Sequence, residues 1–367
     1  MDKRILHLVH TPRLSGAETL VRELMLHQAS GYVSAVASLN PPAADFQEHV
    51  PELTRRGAAV YFPPAPLVHF GRIAHLKSAY RDFRPDVVFG HSVLPALYGR
   101  LALPLVGARP RFVSVLHSAT NDDYDKAPLL LTELLLARRA DQVIAVSEQG
   151  ARRYRQRIPH GRLPRVIPNG ISLAHLRYAA AHRARHRAAF GLQSGDQLIL
   201  QVGRLSPIKQ QLLTFESLLP LLREAGGLQL WFAGLAEDAG YAEKLQAGIV
   251  AAGLSPQVQV LGSRPDVPEL LAAADLYVMP SLLEAHSVAL IEALASGVPV
   301  LASDIPAFRF AARYDGVVLR EAKEPLDVEQ VRRMLASDTR YERDLDFYAI
   351  SRTAASYQDV ADQLCRS

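Results

Sequence analysis

Two glutamates, Glu284 and Glu292, stand in an otherwise mostly apolar stretch, SLLEAHSVALIEALASG, from Ser281 to Gly297. With residues 288–295 helical, Val288, Ile291 and Ala295 form a core stripe, Glu292 sits beside it, and Glu284 lies about 10 Å away towards the amino end. Carboxylates accept hydrogen bonds from hydroxyls in pairs, which is how proteins hold sugars and riboses, so one compound of that length could touch both. Glutamate is also a good helix former, and the same pair fits a wet helix face. A second constellation, VGRLSPIKQ, places Arg204 and Lys209 on one loop that follows an apolar run and ends at a helix start. Arginine supplies a planar fork, lysine a point charge and the helix dipole a third positive element, which together suit a diphosphate without a metal. Two exposed cations flanking a turn are the plainer alternative. A third, SGAE, opens a helix after the first apolar run, so the amides of Gly16 and Ala17 can face a phosphate. A glycine turn capped by Ser15 explains it equally well.

These residues need strands that end near them. Short runs rich in Val, Ile and Leu (RILHLVH, VSAVASL, DVVFGHS, RFVSVLHS, DQVIAVS) alternate with segments of helical period, which is βαβ rhythm. Each run is apolar enough to be buried on both faces of a parallel sheet. A basic segment from Gln149 to Gly195, short of strand pattern, reads as the linker. After it LILQVGR, LQLWFAG, VQVLGS, DLYVMPS and VPVLASD begin a second series. The expected architecture is α/β: two Rossmann-like, doubly wound parallel-sheet domains, residues 1–180 and 181–347, facing across a cleft that takes ligands at the strands' carboxyl ends. A last helix over about 348–364 packs back on the first domain or on the second.

Composition narrows the function. The chain has 367 residues, 49% of them hydrophobic, enough for two cores. A lone cysteine, Cys365, excludes an internal disulfide, and no apolar run reaches the ~18 residues of a membrane span. The opening MDKRILHLVH reads as folded structure rather than a secretion signal, so the cytoplasm is the expected compartment. Residues 1–190 carry 26 Lys/Arg against 14 Asp/Glu, and residues 191–367 carry 15 against 23. The basic half favours an anionic partner, either an acceptor or the inner-membrane surface, with the arginines between Arg152 and Arg165 as the densest cluster. Solvated helix faces would give the same count. Aromatics at 7% and the lack of zinc-finger, RNP or helix-turn-helix patterns argue against nucleic acid.

In order and spacing, VGRLSPIK, VQVLGS and LLAAADLYVMPSLLEAHSVALIEALASGVPVLASD resemble the retaining GT-B glycosyltransferases of the large bacterial group that uses nucleotide sugars, family 4-like and group 1. LSGAE, VSVLHS, VIAVSE and VIPNGIS extend the likeness through the first half. The resemblance implies that Arg204 and Lys209 hold the donor diphosphate together with Gly16, Ser287 and Val288. It further implies that Glu292 takes the ribose, that Glu284, Ala285, His286 and His117 face the transferred sugar, and that Ser263 and Arg264 lie near the base. A buried structural histidine is the alternative for His117. Departures from the family pattern fall at Ser15, at Ala285, His286 and Ser287, and at Gln210, where glycine is common and the replacement would stiffen the loop. No second carboxylate opposes Glu284 as a nucleophile, so a front-face displacement is expected, with the leaving diphosphate accepting the acceptor's proton. The implied co-substrate is a nucleotide-diphosphate sugar, a UDP-sugar in the first instance, with no further cofactor. The implied acceptor is an anionic or lipid-linked glycan of lipopolysaccharide, capsule or exopolysaccharide assembly. Asp123-Tyr124-Asp125 and Asp344-Leu345-Asp346 mimic a metal-binding Asp-x-Asp, but no metal is expected. A non-catalytic two-lobed binding protein and a GT-B epimerase or phosphorylase are the rival readings.

Overall fold

The computed structural model describes residues 2–13, 16–107, 109–118 and 122–366, with only the backbone described for Asp122. The chain divides into two units, residues 1–170 with 348–367, and residues 171–347.

The first unit is built on seven strands: β1 (Lys3–Val9), β2 (Tyr32–Ser38), β3 (Ala59–Tyr61), β4 (Val87–His91), β5 (Arg111–Leu116), β6 (Gln142–Ala145) and β7 (Pro164–Val166). They run parallel in the order β3-β2-β1-β4-β5-β6-β7. Alternation along each strand sends Leu6, Leu8 and Val88 to one face and Ile5, Val87, Phe89, Val113 and Val115 to the other. The helix Ile350–Arg366 closes the second of these faces with Ile350, Ala354, Tyr357 and Ala361, spaced at a helical period. Thr353 Oγ1 donates to the Pro168 carbonyl at 3.1 Å, and the Tyr32 hydroxyl donates to Asp362 at 2.6 Å.

The second unit holds β8 (Gln197–Val202), β9 (Leu228–Ala233), β10 (Val258–Val260), β11 (Leu276–Met279), β12 (Val300–Ser303) and β13 (Val317–Arg320), all parallel in the order β10-β9-β8-β11-β12-β13. Both sheets reverse direction of winding beside their first strand, at β1/β4 and at β8/β11. Doubly wound sheets open a crevice at such a point, at the strands' carboxyl ends. On the other side of β8, at its carboxyl end, the chain leaving β9 comes close: a Cβ on Gly234 would stand 2.1 Å from the Gly203 carbonyl oxygen, so only glycine fits.

The division falls at 170/171 rather than 180/181. The helix Leu173–Ala181 buries Leu173, Leu176 and Ala179, and His175 Nε2 meets Glu269 at 3.0 Å, so it packs with the helix Val267–Ala273 of the second unit. The segment read as a linker is structured as well. Arg183 and Arg187 donate to the carbonyls of Ala272, Ala273 and Ala274 and pair with Asp275, satisfying the acceptors at that helix's carboxyl end.

Candidate functional site

In the second unit the chain leaving β8 turns through Gly203 and Arg204, makes a 3-10 turn at Pro207–Lys209 and enters the helix Gln211–Glu224. Buried polar groups hold this loop. Gln201, 2% exposed within an apolar strand, donates to the Lys209 carbonyl at 2.7 Å and accepts from Thr214 Oγ1 at 2.8 Å. Gln211 donates to the Arg204 carbonyl at 3.0 Å. Gln210 takes φ +56°, ψ +38°, the left-handed conformation that favours glycine, which locates the physical cost of this departure.

The loop after β11 lies against the first one: Leu282 N donates to the Ile208 carbonyl at 2.8 Å. Across this contact Lys209 Nζ pairs with Glu284, both side chains 13% exposed. Arg204 pairs with Glu237 nearer the surface. Burial, then the carboxylates of Glu284 and Glu292, hold the Tyr277 hydroxyl well above its usual range. Ser287 caps the helix Val288–Ala295: its Oγ accepts from Leu290 N at 3.3 Å and contacts Met279 Sδ at 3.4 Å, leaving Val288 as the first helical residue. Ala285 and His286 complete the turn between Glu284 and this cap, and burial draws the His286 imidazole down to about 4. Ser263 and Arg264 follow β10, and Arg264 Nε donates to Asp266 at 2.7 Å. One unit thus sets Lys209 against Glu284 across the loops that follow β8 and β11, with Glu292 on the helix that follows, while Arg204, on the same loop as Lys209, faces Glu237 after β9.

In the first unit His117 follows β5 directly. It belongs to a row: His7 Nδ1 lies 3.0 Å from His91 Nε2, and His91 Nδ1 lies 3.0 Å from His117 Nε2. Burial lowers His7 to about 3, His117 to about 4 and His91 well below 6.5. Gly16 opens the helix Gly16–Leu26 with open space where a Cβ would stand; Ser15, before it, lies outside the described residues. Asp125 of the first Asp-x-Asp faces Arg153 at 3.4 Å and also pairs with Arg157, while Asp123 meets Lys126 at 3.6 Å. In the second, Asp346 pairs with Arg177 at 3.1 Å. Of the arginine cluster, Arg153, Arg157 and Arg165 are engaged in ion pairs, and Arg152, Arg155 and Arg162 are exposed.

His7, His91, Gln201, Gln211 and Tyr277 were not singled out from the sequence. The available signal was a polar residue inside an apolar strand run, as in RILHLVH, DVVFGHS and LILQVGR.

Two doubly wound parallel sheets in two units define the GT-B class, and solved structures agree: Anabaena HepE in complex with UDP and glucose superposes with a TM-score of 0.73 at 21% identity, covering 98% of this chain and 94% of that one. The family model of glycosyltransferase family 4 matches residues 14–175 and that of group 1 glycosyl transferases matches residues 196–337. The chain belongs to this family 4-like, group 1 set and is a glycosyltransferase. A D-inositol 3-phosphate glycosyltransferase of Geodermatophilus obscurus is 28% identical over 371 residues, 90% of this chain and 81% of that protein. The lipopolysaccharide core biosynthesis mannosyltransferase LpcC of Rhizobium leguminosarum is 34% identical over 175 residues, 47% of each.

Proposed function

We propose that the protein transfers a hexosyl group from a nucleoside-diphosphate sugar to a hydroxyl of an anionic or lipid-linked glycan, with retention of anomeric configuration and without a metal. The observation that carries this reading is the Lys209–Glu284 pair across the loops that follow β8 and β11, with Arg204 at the head of the first loop and the helix that carries Glu292 following the second. The donor's diphosphate takes over Lys209 and Arg204 from their carboxylate partners, with the amides opening the helix Val288–Ala295 adding positive potential. Glu292 then holds the ribose hydroxyls, with Ser263 and Arg264 near the base, and Glu284 holds the hexose with Ala285 and His286 around it. As the anomeric bond breaks, charge grows on the leaving diphosphate where the two cations already stand, so they stabilise the transition state more than the bound donor. That same oxygen accepts the proton of the incoming hydroxyl on the front face. With the charge balanced by protein groups a divalent ion is redundant.

An anionic acceptor is supported by the basic first half of the chain and by relatives named for D-inositol 3-phosphate and for lipopolysaccharide core biosynthesis. Contact with anionic inner membrane through Arg152, Arg155 and Arg162 follows from the same charge. No helix of the described residues is long and apolar enough to cross a membrane. A UDP-sugar is the favoured donor. The test is a thermal-shift screen of UDP-, GDP- and ADP-sugars, where the cognate donor at 100 times its Kd adds about 2.7 kcal/mol. NMR of the anomeric proton in the product of that donor follows; an inverted configuration overturns the mechanism, and no response to any nucleotide sugar overturns the reading.

A further inference from the structure

Gln201 is an amide in a strand whose other buried side chains are apolar: Leu198, Ile199 and Leu200 precede it in β8, and it is as deeply buried as they are. Packing at that position would be served by leucine or methionine, without the cost of taking an amide out of water. Both ends of the amide are used, and both by the segment that carries Lys209. Nε2 donates to the Lys209 carbonyl at 2.7 Å, and Oε1 accepts from Thr214 Oγ1 at 2.8 Å. Turning the amide over would set its oxygen against the Lys209 carbonyl oxygen, so only one orientation fits. Thr214 is itself buried, and its backbone N–H donates to the Gln210 carbonyl at 3.0 Å.

Between these two anchors stands Gln210, at φ +56°, ψ +38°. That conformation is costly for any residue with a Cβ, whereas glycine adopts it freely. The Gln210 side chain does not offset the strain through its Oε1, which is buried without a hydrogen-bond partner among the described residues. The carbonyl before Gln210 and its own carbonyl are the two that Gln201 and Thr214 hold. Lys209 leaves the chain at this turn. Its stem runs along Gly203, where a Cβ would stand 3.6 Å from Lys209 Cδ, and its Nζ reaches Glu284.

We propose that Gln201 and Thr214 are positioning residues for Lys209: the buried amide and hydroxyl hold Gln210 in its left-handed turn and so fix where the lysine ammonium stands. This rests on the reading above that Lys209 meets the donor diphosphate. With the pair lost, the turn is formed in only a fraction of molecules, and the apparent affinity for a diphosphate falls by that fraction. The cost of a left-handed non-glycine residue sets the fraction at about one in 5 to one in 30, whereas glycine forms the turn about half the time.

The experiment is calorimetric titration of UDP, GDP and ADP into the full-length protein and its variants, with urea unfolding of each beside it. Gln201→Met keeps the length of the side chain and removes both contacts. Thr214→Val keeps the shape and removes the hydroxyl, and serves where Gln201→Met fails to fold. For the nucleotide that the wild type binds most tightly, Gln201→Met is expected to weaken binding about 5- to 30-fold, but only about twofold in a Gln210→Gly background and not at all in a Lys209→Ala background. Thr214→Val shifts affinity in the same direction. Wild-type affinity in both variants, with only the urea midpoint lowered, makes the pair structural and overturns the proposal. So does an equal loss of affinity with and without Gln210→Gly, because the pair then acts elsewhere than on the turn. Lys209→Ala with wild-type affinity, or a wild type that binds none of the three nucleotides, would instead overturn the reading of Lys209. The hold on the turn is then decided by the urea midpoints: Gln201→Met must cost less stability beside Gln210→Gly than alone, and an equal cost overturns it.

Discussion

Replacing Glu284 by Gln should tighten the binding of free UDP while slowing sugar transfer. Lys209 and Glu284 are paired and each is 13% exposed, so Lys209 must give up a charge-assisted hydrogen bond before it can reach a diphosphate. Such a bond contributes about 1.5–3 kcal/mol, and the neutral acceptor of Gln keeps about 1 kcal/mol of it. The competition removed is therefore about 0.5–2 kcal/mol, a gain of roughly 2- to 30-fold in Kd. Calorimetric titration of UDP into wild type, Glu284→Gln, Lys209→Ala and the double variant separates this from simple relief of charge repulsion, because only the former needs Lys209. The reasoning is refuted if Glu284→Gln leaves UDP affinity unchanged or weaker, or if the same gain persists without Lys209. Transfer by Glu284→Gln must drop in the same preparation if the carboxylate holds the hexose as proposed.

Other outcomes follow from the same geometry. The fully buried Arg100–Glu133 pair, with Tyr154 donating to Glu133 at 3.2 Å, should make Glu133→Gln about 3–5 kcal/mol less stable by urea unfolding, while Arg100→Met with Glu133→Leu recovers most of the loss; equal stability of Glu133→Gln and wild type contradicts this. His7 and His117 are neutral both folded and unfolded above pH 6.5. As pH falls from there towards 4 the unfolded chain takes up protons that the fold refuses, so stability should fall by up to about 1.4 kcal/mol per pH unit for each of these two histidines. Flat urea midpoints between pH 7.5 and 5 refute it. Binding to anionic vesicles should weaken from 0.1 M to 1 M salt, as the Debye length shrinks from about 10 Å to about 3 Å, and weaken again in an Arg152, Arg155, Arg162 triple Ala variant; salt-insensitive binding, or none, excludes the surface. Transfer should persist in excess EDTA and in an Asp123→Ala, Asp125→Ala variant, whereas activity lost in EDTA and restored by manganese reverses the metal-free mechanism.

The strands were legible because a parallel sheet buried on both faces demands continuous Val, Ile and Leu, as in DVVFGHS and RFVSVLHS. The strands β7 and β13 were not: β7 is three residues long and opens on Pro164, and β13 is a four-residue edge strand with no buried residue. The segment around Arg183 and Arg187 looked like linker because its signal is charge. Its role, satisfying the carbonyls of Ala272–Ala274 some 90 residues away in sequence, is a tertiary fact. The division at 170/171 was displaced for the same reason: Leu173, Leu176 and Ala179 mark a buried face without saying against what. At the site, Arg204, Lys209 and the glutamates could be found because ligand groups follow strand ends. The Lys209–Glu284 pair could not, since it depends on how two loops 75 residues apart settle against each other. His7 and His91 gave no signal alone. A lone histidine on an apolar strand is ordinarily core, and only the β1-β4-β5 adjacency turns three of them into a row.

That Arg204 and Lys209 carry the charge of a departing nucleoside diphosphate is tested by the turnover of Arg204→Ala and Lys209→Ala with the cognate donor and acceptor, both variants folded by circular dichroism. Loss of several kcal/mol of transition-state stabilisation predicts kcat/KM lower by about 10²–10³ in each. Turnover near the wild-type rate in both variants would contradict the placement of the donor and the mechanism built on it.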